Sequence, residues 1–136
     1  MSEIQNSGDL RQVRVEKLNE LITAGRDPFK ISKYQVTHKS ICIKNNFEEL
    51  EGKIVSIAGR IMSKRGQGKV GFYDIQDSDG RIQMFVKQDN IGEEEYKWLK
   101  TYDVGDIIGI KGEVFKTKTE EISIRAEEVT LLSKSL

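Results

Sequence analysis

Two periodicities divide the 136-residue chain. Leu10, Val13, Leu18, Leu21 and Ile22 fall near helical spacing, which predicts a helix over 9–25 with one apolar stripe. Asp9 suits its start; Gly25, followed by Pro28, suits its stop. Residues 26–51 show little period and read as an extended connector. Within it "DPFKISKYQVTHKS" is expected to wrap a neighbouring surface, and "FEELE" at 47–51 to form a short helical turn. From Lys53 the period changes to two, with much Val and Ile, which predicts strands near 53–64, 69–77, 81–87, 105–116 and 121–132. Asp79-Gly80 marks a tight hairpin, since Gly tolerates positive φ. "GEEEYKWLKTY", 92–102, reads as a helix whose acidic start is favourable.

Five strands with a helix after the third are the element order of an all-β OB-fold, a five-stranded Greek-key barrel, here preceded by an N-terminal helix. Residues 1–52 are then the helix and connector, and 53–136 the barrel domain. Alternation sorts the faces. Val55, Ile57 and Ile61 point inward with Gly59, while Ser56, Ala58, Arg60, Met62 and Lys64 point outward. Tyr73, Ile75, Ile82, Met84, Val86, Ile122, Ile124 and Ala126 point inward; Phe72, Asp74, Gln76, Gln83, Phe85, Lys87, Glu121, Ser123 and Arg125 point outward.

The outward set includes Arg60, Phe72, Gln83 and Glu121: an aromatic ringed by directional hydrogen-bonding groups. Single-stranded RNA readers need that combination, because an unpaired base offers a π-face and a polar edge. Arg only donates, Glu only accepts and Gln does both, which suits uracil, with two carbonyls flanking one N–H. Alternation alone leaves open whether Phe72 stacks on a ligand or is covered by the N-terminal helix or the connector.

Composition narrows the choice. Hydrophobic residues make up 37% and charged residues 32%, and no apolar run approaches the roughly 20 residues that span a bilayer. The N-terminus lacks the architecture of a signal peptide, so a cytoplasmic location without membrane contact is expected. One cysteine, Cys42, allows no internal disulfide, and one histidine, His38, stands far from metal-ligand partners, so no metal site is expected. Twenty-two basic and 22 acidic side chains cancel, but "SKRGQGK" and "FKTKT" are set apart from "EELE" and "GEEEYK". One face can therefore attract phosphate while the sum is zero. The glycines of "SKRGQGK" do not lead from a strand into a helix, which argues against a P-loop.

"AGRIMSKRGQGKVGFYDIQDSDGRIQMFVKQD" and "DVGDIIGIKGEVFKTKTEEISIRAEEVTLLSKSL" resemble the anticodon-binding domain of bacterial-type (class II) lysyl-tRNA synthetases. "VRVEKLNELITAGRDPF" is similar to the helix that precedes it. The resemblance implies that the barrel grips the uridine-rich anticodon loop of lysine tRNA. It implies base-reading roles for Arg60, Phe72, Gln83 and Glu121, with Phe72 stacked on the central uridine. Lys64, Arg65, Lys69, Lys116, Lys118 and Arg125 are expected on phosphate. Two departures stand out: Glu120 replaces a common Gly, and Arg125 stands where many relatives have His.

The family's catalytic domain has no counterpart in these 136 residues. The chain alone is thus not expected to be an enzyme or to hold a cofactor; ATP and Mg2+ would belong to the catalytic domain. Two other readings stay open: a general single-stranded nucleic-acid-binding OB module, and a protein-interaction or dimerisation domain, since the family's region contributes to a homodimer contact.

Overall fold

The computed structural model describes residues 3–26 and 34–135, with side chains from residue 10 onward. Helix α1, Glu3–Thr23, begins earlier than its sequence pattern, so Asp9 lies inside it rather than capping it. Its stop is the one expected. Gly25 takes φ +77°, Gly25 N donates to Ile22 O at 3.0 Å, and Arg26 N donates to Leu21 O at 2.7 Å. This is the hydrogen-bond pair of a left-handed glycine cap. The five-residue stripe does not hold: Leu18 and Leu21 are buried, while Leu10, Val13 and Ile22 are 52%, 46% and 43% exposed. The apolar contact of the helix is confined to Leu18 and Leu21, and polar ties flank it, Arg14 Nη1 donating to Ser135 Oγ at 3.3 Å. Lys17 pairs with Asp103 at 2.8 Å, and Arg26 pairs with Glu95 and lies over the Trp98 ring.

The connector is less extended than its composition suggests. Residues 27–33 fall outside the described part, so the wrapping expected of the whole stretch is seen only from Tyr34. Tyr34 lies against Gly109, where any Cβ would strike its ring. Thr37 N donates to Ser56 O at 2.8 Å, and Ser56 Oγ donates to Gln35 O at 2.7 Å. Two short helices follow, α2 at Ser40–Asn45 and α3 at Phe47–Leu50. The first has no sequence period, being under two turns long. It forms because Ile43 is driven fully into the barrel core while Ser40 anchors on Asp77 at 2.7 Å.

Strands β1 (Ile54–Gln67), β2 (Val70–Gln76), β3 (Arg81–Lys87), β4 (Ile107–Lys116) and β5 (Ile122–Ser133) close a barrel in the order β1-β2-β3-β5-β4. Only β3 and β5 pair in parallel, over Gln83–Ser123, Met84–Ile124 and Phe85–Arg125. Between β3 and β4 the expected single helix is two, α4 at Gln88–Ile91 and α5 at Glu93–Leu99, parted by Gly92 at φ +96°. The inward residues predicted by alternation form the core, Val55, Ile57, Ile61, Tyr73, Ile75, Ile82, Met84, Val86, Ile124 and Ala126 all being buried, except that Ile122, at the start of β5, is only partly buried and packs on the edge of the core.

Two local readings need correction. Gly80 is not a positive-φ residue. The β2–β3 turn is instead held by the Asp77 carboxylate, which accepts the N–H groups of Asp79 and Gly80 at 2.9 and 3.0 Å. The second correction lies in β1. Ile61 pairs with Ile75 but Ser63 pairs with Asp74, so Met62 is the extra residue of a bulge. A bulge inverts parity. Beyond it Ser63 and Arg65 face outward, opposite Asp74 and Phe72. Lys64 falls in register with inward Tyr73.

Candidate nucleic-acid interface

The outward face of the barrel can be read rung by rung from the strand register. One rung runs Arg65, Phe72, Phe85, Arg125, Glu113 from β1 to β4. The next runs Ser63, Asp74, Gln83, Ser123, Phe115, about 7 Å along the strands. Together they bring three phenylalanines into contact. The Phe72 and Phe85 centroids are 5.0 Å apart with planes tilted by 53°, and Phe85 and Phe115 are 5.8 Å apart, edge to face. Such offsets suit aromatic quadrupoles.

These rings floor a cleft of about 540 Å³. Phe72, Gln83, Phe85, Phe115 and Arg125 come from the sheet; Lys116 and the β4–β5 turn through Thr117, Lys118 and Thr119 form one wall. Lys87 stands over Phe85, its ammonium 5.7 Å from the ring centre. Four cations and no carboxylate line the cleft, so it is locally basic in a chain of zero net charge. No lining residue comes from α1 or the described connector. That answers what covers Phe72 among the described residues: the connector crosses the Ser56–Gly109 side, and the Phe72 side is open.

Of the expected base-reading residues, Phe72 and Gln83 lie together in the cleft. Gln83 is only 6% exposed, so it sits on the cleft floor rather than on an open surface. Among the described residues no hydrogen bond engages its amide, which leaves one donor and one acceptor group turned to the cleft. Arg60 is also outward but pairs with Gln76, four residues and about 13 Å along β2 from Phe72. Its guanidinium donates to Gly105 O at 2.7 Å, so the structure does not bring it to Phe72. Glu121 is exposed at the foot of β5 and lies outside the cleft lining; its backbone closes the turn, Thr117 N donating to Glu121 O at 3.0 Å. Glu120 holds that turn with φ +65°, a left-handed residue at the position where the family resemblance implies Gly.

The expected phosphate contacts divide. Lys116, Lys118 and Arg125 line the cleft. Lys64 does not: its ammonium donates to Tyr102 O at 2.5 Å and Lys100 O at 3.2 Å, capping the chain after α5. Burial lowers its pKa, partly offset by nearby Asp103. Arg65 shares the Phe72 rung but is tied to Asp74 at 2.9 Å and Ser63 at 3.2 Å. The Ser63 hydroxyl, against the cost of burial and with help from Arg65, holds the Asp74 carboxyl below its ordinary pKa. Lys69 is exposed beside the β1–β2 turn, away from the cleft lining. Phe85, Phe115 and Lys87 were not singled out by sequence reasoning. The signal was present for Phe85 and Lys87, which share outward parity with Gln83; Phe115 needed the β4–β5 register.

Buried Tyr73, on the opposite parity, has its hydroxyl pushed up to about 12 by desolvation, as expected of a core residue. No cluster of three or more His, Cys, Asp or Glu able to hold a metal occurs among the described residues.

The region that a known family matches coincides with this barrel. The family described as OB-fold nucleic acid binding domain, of the tRNA anti-codon type, matches residues 55–132. The chain belongs to this OB-fold family. The OB-fold chain is also similar to curated lysine–tRNA ligases. It is 55% identical over 128 residues to that of Thermoanaerobacter sp. (strain X514), covering 94% of this chain and 26% of the relative. It is 56% identical over 124 residues to that of Clostridium perfringens (strain SM101 / Type A), covering 91% and 25%. It is 49% identical over 132 residues to that of Clostridium botulinum (strain Langeland / NCTC 10281 / Type F), covering 97% and 26%. The chain thus spans about a quarter of the length of the relatives it matches. That quarter is their anticodon-binding domain, and their catalytic domain is unmatched.

Proposed function

We propose that this OB-fold is the tRNA-gripping module of a lysine–tRNA ligase and reads the uridine-rich anticodon loop of lysine tRNA. The observation that carries the reading is the cleft itself: three touching phenylalanines, a Gln83 amide free at their foot, and cations without acids around the rim. An unpaired base lies on Phe72, whose rung is open to solvent, and its polar edge meets Gln83. Gln83 donates to a uracil carbonyl and accepts from N3–H at once. Lys116, at the end of β4, and Lys118, on the turn after it, take the phosphates that follow, because both line the cleft beside the aromatic floor. Arg65 stands at the other end of the same rung, where its fixed guanidinium meets the backbone of a base stacked on Phe72. Glu121 is left to a neighbouring base of the loop, and Arg60 has no part in this reading. None of these 136 residues is assigned a step of ligation; ATP and Mg2+ act elsewhere in the parent enzyme.

The test is titration of the chain with lysine anticodon stem-loops in which one anticodon base at a time is changed, at one fixed salt concentration. The reading requires the tightest binding for the uridine-rich loop and a clear loss for cytidine at the central position. Equal binding of all loops would instead make the chain a general single-stranded nucleic-acid binder.

A further inference from the structure

Arg125 is poised differently from the other cations of the cleft. Its guanidinium carbon lies 4.4 Å from the centre of the Phe115 ring, directly over it. One edge is held by Glu113, with Nη1 3.3 Å from Oε1. The side chain is still partly exposed and lines the cleft. Lys87, Lys116 and Lys118 have no carboxylate partner among the described residues, and none of them is fixed from two sides. A guanidinium with one face on a ring and one edge on a carboxylate keeps its other face free, and that face is planar and weakly hydrated.

The geometry points to Arg125 as a second stacking platform: its free face receives an unpaired base next to the one carried by Phe72. The inference rests on the proposed single-stranded RNA reading of this cleft. Three observations carry it. First, Phe115 cannot itself stack on a base at the face that Arg125 occupies, so the aromatic floor extends through the guanidinium. Second, Phe85 separates Phe115 from Phe72, with centroid steps of 5.0 and 5.8 Å, so a base on Phe72 leaves the Phe115 end of the cleft empty. Third, Glu113 shares the Arg125 charge, and its carboxylate would repel a phosphate brought to the same edge, whereas an uncharged base is not repelled. Arg planes are established partners for unstacked bases. Glu113 is then a positioning residue, holding the plane across the end of the rung.

A stacking plane and a phosphate contact respond oppositely to substitution. The experiment measures dissociation constants of the whole chain and of Arg125→Ala, Arg125→Lys and Arg125→His. Each is titrated at several salt concentrations with a uridine-rich anticodon stem-loop and with oligouridine. A thermal melt of each variant checks that the fold is kept. Arg125→Ala should weaken binding about tenfold, within the range for one stacked base, with an unchanged salt slope. Arg125→His, planar and aromatic, should recover most of the loss; Arg125→Lys, charged but not planar, should not. An abasic nucleotide at one loop position should cost the wild type as much as Arg125→Ala does, and cost that variant nothing further. Wild-type binding by Arg125→Lys, or a salt slope reduced by about one in Arg125→Ala, would overturn the inference in favour of a phosphate contact. If oligouridine binds as well as every stem-loop, the anticodon reading fails, yet the same variants on oligouridine still judge Arg125. Binding to neither RNA overturns both.

Discussion

Arg65 and Phe72 face each other across β1 and β2, although Arg60 and Phe72 shared the outward side in the alternation of the sequence. Arg60, ahead of the bulge at Met62, pairs with Gln76, and the bulge then sets Arg65 rather than Lys64 opposite Phe72. Phe72 is partly buried beside Phe85 and lines the cleft, to which neither α1 nor the described connector contributes a residue. Phe72→Ala should therefore weaken binding of a lysine anticodon stem-loop by about 1–3 kcal/mol, one stacked base. The domain should stay folded, with a smaller loss of about 0.5–1.5 kcal/mol from the broken aromatic pair. Isothermal titration alongside a thermal melt separates the two; a collapse of the melt would make Phe72 a core residue.

Gln83 should supply discrimination rather than fold stability. Its amide is free of described partners, so Gln83→Ala leaves no hydrogen bond broken in the barrel. Cytosine lacks the N3–H that Gln83 accepts, and a stranded acceptor costs about 1–3 kcal/mol. The ratio of dissociation constants for central uridine and central cytidine should fall toward one in the variant. An unchanged ratio would remove Gln83 from the reading site.

The end of β5 is locked by a buried ion pair. Lys134 Nζ lies 2.7 Å from Asp106 Oδ2, with side chains 1% and 0% exposed. Asp106 also accepts the N–H groups of Asp103 and Ser135, each at 2.8 Å. Lys134→Met leaves that carboxylate buried without its cation, which should cost about 3–5 kcal/mol. Urea denaturation reads the shift. A loss below about 1 kcal/mol would mean that water replaces the ammonium.

Glu120 holds φ +65° in the β4–β5 turn, a conformation that costs a residue with a Cβ about 1–2 kcal/mol. Glycine removes that strain but adds about 0.4–1 kcal/mol of unfolded-state freedom. Glu120→Gly should thus raise stability slightly, by no more than about 1.6 kcal/mol, without changing RNA affinity. A destabilised variant would show that the Glu120 side chain, not its backbone, matters.

Acid should loosen the connector. Burial tends to raise the Asp77 carboxyl, but the N–H and hydroxyl of Ser40 and the N–H groups of Asp79 and Gly80 outweigh it and hold the pKa below 3.8. A carboxyl depressed in the folded state contributes stability above its unfolded pKa and loses it as pH falls through the folded value. Asp77→Asn should be less stable than the wild type at pH 7, and the gap should close as the pH falls below about 4. Melts from neutral to acid pH check this; a constant gap would show that Asp77 never titrates in that window.

How much of this was legible follows from the length scale of each feature. The strands of the barrel announced themselves because a sheet with one buried face forces period two, and Ile57, Ile75, Met84 and Ile124 obeyed it. Gly25 stopped α1 as expected, since a left-handed cap is a local demand on one residue. Phe72 and Gln83 were placed by the same alternation and by the family resemblance. Helix α2 was not legible: six residues carry less than two turns of period, and Ile43 is helical because of the core it fills. The exposed Leu10 and Val13 show the limit in reverse, since periodicity marks an apolar stripe but not which part of it finds a partner.

The barrel, its inward residues and the aromatic on its outer face follow from the order of residues alone, because alternation and turn chemistry act between near neighbours. The membership of the cleft depends instead on strand register and long-range pairing. The bulge at Met62 puts Arg65 in place of Lys64 opposite Phe72 at the cleft's edge, a one-residue shift that leaves no mark in composition. The parallel pairing of β3 with β5 sets Phe85 beside Arg125, and the β4 register sets Phe115 beside Ser123, joining residues far apart in the chain. The connector's course over Ser56 and Gly109, rather than over Phe72, is likewise a choice between two faces of one closed sheet. Such choices depend on which surfaces fit once the barrel has closed, and no local pattern in the chain encodes them.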